Sequence, residues 1–152
     1  MVSTGVLARI PHRIKSMIYL DSFVPEDGKS LFDYDSAVAR GIMEANKKEN
    51  KVIPPFPFDF LGVAEAGIGN FVKQRESPQP WRTMFEPVKA LRNHQGIPIS
   101  YIRCADFKHD PFDEALERIK TNPNGRTAVL GIGHLCMLTD PEETINSLID
   151  LA

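Results

Sequence analysis

The chain has 152 residues with 18 Lys plus Arg against 20 Asp plus Glu, a formal net charge of −2. That length suits one domain with a real core, and so balanced a charge excludes an electrostatic nucleic-acid binder. No apolar stretch approaches the ~18–20 residues of a membrane span, no secretory leader opens the chain, and two cysteines read as reduced thiols of a cytoplasmic protein.

In chain order, Val2, Val6, Leu7 and Ile10 form a helix-like apolar pattern stopped by Pro11. Ser16 to Leu20 is a short apolar run ending in Asp21-Ser-Phe-Val-Pro-Glu-Asp-Gly28, which suits a buried parallel strand followed by turn chemistry. Leu31 to Lys48 reads as a helix with a lysine-rich, solvated end. Lys51 to Phe58 contains three prolines, which remove backbone donors and forbid regular helix or central strand. Asp59 to about Arg75 reads as a glycine-weakened helix, and Ser77-Pro-Gln-Pro-Trp81 as a turn leading into a short helical piece through Phe85.

Beyond this helical middle, alternation of strand and helix resumes. Ile97 to Cys104 is a strand, Pro111 opens a helix with apolar Phe112, Leu116 and Ile119, Asn122 to Gly125 is a turn, and Thr127 to Leu130 is a strand. Thr139-Asp-Pro-Glu-Glu143 has the capping residue, early proline and early carboxylates of a helix start, and the last helix sets Ile145, Leu148 and Ile149 on one face. Such alternation predicts an α/β fold with a parallel sheet. Its segments are 1–28 as core, 29–90 as an inserted helical cap and 91–152 as core again.

Sites in open parallel sheets gather beyond the carboxyl ends of the strands. Asp21, Asp106 and the loop Gly131-Ile-Gly-His134 each follow a strand. An acid after one strand and a histidine in a glycine-framed loop after the next make the Asp…His half of a hydrolase triad, with His134 as base and Asp106 orienting it. Asp110 is a rival acid. Asp21 is another, although a role anchoring the turn before Pro25 accounts for it better. Asp106, Asp110, His109, His134, Cys104 and Cys136 lack metal-ligand spacing, so no metal or other cofactor is expected. Cys104 and Cys136 read as buried thiols beside strand ends, His12 and His94 as solvated. Phe56, Phe58, Phe60, Phe71 and Trp81 could line an acyl or alcohol pocket or simply pack.

Three segments carry a family resemblance. Arg13 to Gly28 resembles the strand and loop that lead into the cap of α/β-hydrolases of the esterase and hydroxynitrile-lyase-like branch. Gly133-His-Leu-Cys-Met-Leu-Thr-Asp-Pro-Glu-Glu143 resembles that branch's histidine loop and closing helix, and Trp81 with Pro78 and Pro80 resembles its cap. The resemblance implies a truncated α/β-hydrolase fold with His134 as catalytic histidine and Asp106 as acid. It implies no cofactor and a small ester-like substrate. The family's Gly-x-Ser-x-Gly nucleophile elbow has no match in these residues, and Ser3 lacks the strand and strained turn that would make it a substitute. The expectation is therefore an esterase-type protein whose serine lies outside this chain, so that the chain alone is inactive. The alternatives are an inactive fragment or pseudoenzyme, or a hydroxynitrile-lyase-like C–C lyase. An uncovered strand edge is expected to promote self-association.

Overall fold

A computed structural model describes residues 1–57, 61–62, 66–90 and 96–152. Phe58, Phe60, His94 and, of the helix expected from Asp59, residues 59–60 and 63–65 lie outside the described residues. The chain divides into two compact units: Met1–Ile14, Phe23–Pro55 and Ser77–Gln95 form one, and Lys15–Ser22, Phe56–Glu76 and Gly96–Ala152 form the other. Met1–Ile14 thus groups with the helical segment, whereas Lys15–Ser22 groups with the sheet.

The sheet unit holds three parallel strands in the order β1 (Met17–Leu20), β2 (Ile99–Cys104) and β3 (Gly125–Leu130). The register pairs Met17 with Ile99 and Leu20 with Ile102, then Ile99 with Gly125 and Cys104 with Leu130. All six residues of the central strand β2 are buried, as expected for a parallel strand covered on both faces. On one face Ile18, Leu20, Ile102, Ala128 and Leu130 meet Leu148 and Leu151 of helix α7 (Pro141–Leu151). Helix α5 (Asp110–Lys120) lies against β2 and β3 through buried Phe112, Ala115, Leu116 and Ile119, and its Asp113 takes a bond from Arg103 of β2. Side chains alternate along a strand, so Arg103 points to the face opposite Ile102. Gly125 opens β3 where a Cβ would sit 2.1 Å from the Ile119 carbonyl oxygen, leaving room only for glycine.

β1 is an edge strand among the described residues. The N–H groups of Met17 and Asp21 donate to Pro98 and Ile102, and by parallel alternation those of Ile18 and Leu20 face away from β2.

Three elements depart from expectation. The helix foreseen over Leu31–Lys48 is broken into a 3-10 turn (Leu31–Asp33) and α2 (Ala37–Lys48). Ser36 breaks it by competing as a cap: its hydroxyl accepts the Ala39 N–H at 3.2 Å. Helix α1 (Val2–Arg9) forms, but its apolar positions do not make one buried face, because Leu7 and Thr4 are buried while Val2, Val6 and Ile10 are exposed. The last helix buries Leu151 and leaves Ile145 and Ile149 exposed; Asp140 caps it by accepting the Glu143 N–H at 3.1 Å, with α6 (Cys136–Thr139) just before.

The helical unit has its own small core. Ala39, Met43, Ile53 and Met84 are buried together, with Leu31, Phe32, Trp81 and Phe85 packed around them. Helix α4 (Arg82–Phe85) carries the last of these, and α3 (Ala66–Lys73) belongs to the sheet unit. No helix among the described residues is long and apolar enough to cross a membrane.

Candidate active site

The tips of all three strands contribute to one cluster within the sheet unit. Asp21 follows β1 directly. Its backbone has φ +39°, a left-handed conformation that Asp adopts more readily than most residues. Its N–H donates to the Ile102 carbonyl at 2.7 Å, which continues the β1–β2 ladder one residue further. The carboxylate is fully buried and held on both oxygens. Oδ1 accepts from Arg103 Nη1 at 2.8 Å and from the Cys104 N–H at 2.9 Å. Oδ2 lies 2.8 Å from His134 Nδ1. An ionised carboxylate can only accept, so Nδ1 carries the hydrogen and Nε2 is left as the acceptor nitrogen.

His134 is set by backbone packing on its own loop. Its N–H donates to the Leu61 carbonyl at 3.0 Å. The preceding Gly133 lies so near this segment that a Cβ there would be 2.3 Å from the Gly62 carbonyl oxygen. The glycine before the histidine is thus required by close approach of two backbones. The imidazole packs beside Phe107 and Phe112, at ring-centroid distances of 4.7 and 5.7 Å, and keeps 29% side-chain exposure, so solvent or a small molecule can reach it.

Arg103 is the charge beneath the pair, with its side chain only 2% exposed. Nε donates to Asp113 Oδ1 at 2.8 Å, Nη1 to the Cys104 carbonyl and Nη2 to the Phe107 carbonyl, each at 2.6 Å. Burial works against this charge, but the bonds to Asp113 and Asp21 outweigh it and hold its proton affinity above the ordinary value. In return the Arg103 hydrogen bond keeps the Asp113 carboxyl below the usual carboxylate range. The Cys104 thiol is pushed up by its hydrogen bond to Cys136 and by burial. Tyr101 is also pushed up, by burial first and by the nearby Asp21 charge, and its hydroxyl donates to the Ser22 carbonyl at 2.9 Å.

The acid that meets His134 is therefore Asp21 rather than Asp106. Asp106 sits in the turn after β2, where its N–H donates to the Ile132 carbonyl at 3.2 Å. Its side chain is exposed and makes no hydrogen bond to His134. Asp110 is likewise exposed, in the first turn of α5. The physical reason is local. The Ala105 and Asp106 N–H groups bond along β3 and its extension, carrying Asp106 outward, while the left-handed turn at Asp21 folds its carboxylate back under the sheet end.

Cys104 and Cys136 are buried free thiols, and His12 is exposed. Phe56 and Phe71 are exposed in the sheet unit, while Trp81 packs edge-on to Phe85 in the helical unit. Ser3 is an exposed residue of α1 in the helical unit. Among the described residues, no group of three or more His, Cys, Asp or Glu side chains is arranged to hold a metal ion.

Arg103 is absent from the residues the sequence singles out, and the turn chemistry around Asp21 favours an anchoring role for it. A signal existed for the first: a charge inside Ile-Ser-Tyr-Ile-Arg-Cys, a strand otherwise fit for burial on both faces, must find a partner. The Leu61–Gly62 clamp had no such signal.

No protein-family model matches the chain. Among curated proteins it is similar to the carbendazim hydrolyzing esterase of Nocardioides sp. (strain SG-4G), 27% identical over 162 residues; the match covers 99% of this chain and 66% of that esterase. The chain thus spans just under two thirds of the length of that curated relative. Among solved structures it superposes on an extracellular α/β-hydrolase from a Paenibacillus species with a TM-score of 0.78 at 19% identity, covering 99% of this chain and 67% of that one. Polyneuridine aldehyde esterase gives a TM-score of 0.61 at 14% identity, covering 98% and 67%. The parallel sheet and these superpositions define the class: the chain has an α/β-hydrolase fold. Within that class, two of the similar proteins are described as esterases.

Proposed function

We propose that the chain supplies the acid and base of an esterase acting on small carboxylic esters. In this reading a serine outside these 152 residues attacks the acyl carbonyl. His134 Nε2 takes the serine proton and gives it to the leaving alcohol; in deacylation it takes a proton from the attacking water and returns it to the serine oxygen. Asp21 holds the ring in the tautomer that leaves Nε2 free, and stabilises the imidazolium formed. The observation that carries the proposal is the 2.8 Å contact between His134 Nδ1 and a buried Asp21 Oδ2 that is itself held by Arg103 and the Cys104 N–H. The esterases among the similar proteins support the reaction class. Cytoplasmic placement is proposed with it, from the two unpaired thiols.

The test begins with the coding sequence upstream of Met1. A Gly-x-Ser-x-Gly motif after an apolar run is expected there. The protein expressed from the extended frame should react with a fluorophosphonate and hydrolyse p-nitrophenyl acetate. Asp21→Asn and His134→Ala should each lower that rate by about 10⁴-fold, with Asp106→Asn near the parent. An extended frame with no such motif, or full activity in Asp21→Asn, contradicts the proposal.

A further inference from the structure

We infer that Arg103 is a positioning residue for the Asp21–His134 pair: its guanidinium fixes the carboxylate and places a buried positive charge beside it. The inference rests on the reading of that pair as acid and base, and adds to it the group that tunes it.

A buried carboxylate meeting an imidazole would carry nearly its whole charge into that contact. Here one oxygen is occupied before the imidazole arrives, because Arg103 Nη1 and the Cys104 N–H both donate to Oδ1. Three of the guanidinium's other contacts fix where it sits. Nη1 and Nη2 reach the Cys104 and Phe107 carbonyls, and Nε reaches Asp113. The Phe107 contact matters twice, since that ring lies against the imidazole. One planar fork thus aligns the Asp21 carboxylate and the backbone of a residue that packs on His134, a task for which the single ammonium of lysine is poorly shaped.

The electrostatic consequence has a definite sign. A proton added to the pair, on either partner, is repelled by the buried guanidinium. Asp113 works the other way. It neutralises part of the Arg103 charge from the solvent side, with a side chain 57% exposed, so its effect is smaller and screened. The other titratable groups around the ring are His109, which packs on Phe107 and Phe112, the Cys104 and Cys136 thiols, and Tyr101 near Asp21. None of these is a fixed positive charge within hydrogen-bond distance of Asp21, which leaves Arg103 as the controlling cation among the described residues.

The experiment is an NMR pH titration of the His134 ring in the 152-residue protein and four variants. Arg103→Met should move the midpoint up by about one pH unit. Arg103→Lys should restore most of that shift while broadening the ring signals through looser positioning. Asp113→Asn should move the midpoint down by a smaller amount. Asp113 is exposed, so this variant decides the matter should Arg103→Met fail to fold. A midpoint unmoved by Arg103→Met and by Asp113→Asn, or moved opposite to these signs, overturns the inference. Asp21→Asn separates the two layers. If it too leaves the His134 titration unchanged, the acid–base pair itself is refuted; if it alone shifts the titration, only the role of Arg103 falls.

Discussion

Replacing Gly133 by Ala is the sharpest perturbation of the histidine loop. The added Cβ would lie 2.3 Å from the Gly62 carbonyl oxygen, 3.0 Å from the Gly62 carbonyl carbon and 3.3 Å from the Leu61 carbonyl oxygen. All three are backbone atoms, so no side chain can swing aside. Relief to the 3.0 Å that real Cβ contacts respect needs the two backbones to part by 0.7 Å, that is 3.0 minus 2.3. The same movement stretches the 3.0 Å bond from the His134 N–H to the Leu61 carbonyl to roughly 3.7 Å, past hydrogen-bond range. Overpacking costs about 1–3 kcal/mol and the lost bond about 1 kcal/mol, giving about 2–4 kcal/mol together. Gly131 is the matched control, because a Cβ there meets nothing within 4 Å. Urea unfolding followed by far-UV circular dichroism should show Gly133→Ala destabilised by that amount and Gly131→Ala within about 0.5 kcal/mol of the parent. Equal stability of the two variants would refute the close-approach reasoning.

Other predictions address the rest of the molecule. The Asp113 carboxyl is held below its ordinary range by Arg103, so its contribution is complete above the unfolded value of about 3.9 and is lost as pH falls through the lower folded value. Urea midpoints measured between about pH 5 and pH 2 should therefore fall less steeply in Asp113→Asn than in the parent; parallel curves would contradict the linkage. Ser36→Ala removes the hydroxyl that accepts the Ala39 N–H and should cost about 1 kcal/mol in the same assay, whereas Ser36→Asp should cost little. The outward N–H groups of Ile18 and Leu20 on edge strand β1 make self-association the expected behaviour of the chain, visible as concentration-dependent sedimentation. A single monomer species at every concentration would argue against it.

The strands and the histidine loop were legible in the sequence because they rest on local signals. Met17–Leu20 is apolar and bounded by turn residues, and Gly131 to His134 places a histidine just past a β-branched strand. The partner of that histidine was not legible, for a reason of geometry. Asp21 and Asp106 both end strands, and only the register and the left-handed backbone at Asp21 decide which carboxylate turns inward. Helix faces failed for a related cause: a 3.6-residue period marks one apolar side of α1 and of α7, but what covers Val2, Val6, Ile145 and Ile149 is not encoded in the period. The Ser36 break in the expected Leu31–Lys48 helix was readable in principle, since serine competes for the backbone N–H three residues on.

The pairing of Asp21 with His134 is tested most directly by proton NMR of the far-downfield imidazole N–H. A hydrogen shared between Nδ1 and a buried carboxylate at 2.8 Å should give such a resonance in the parent protein. It should persist in Asp106→Asn and disappear in His134→Gln and in Asp21→Asn, which keeps the left-handed turn while removing the charge. A resonance that survives Asp21→Asn and vanishes in Asp106→Asn would contradict the account at its centre.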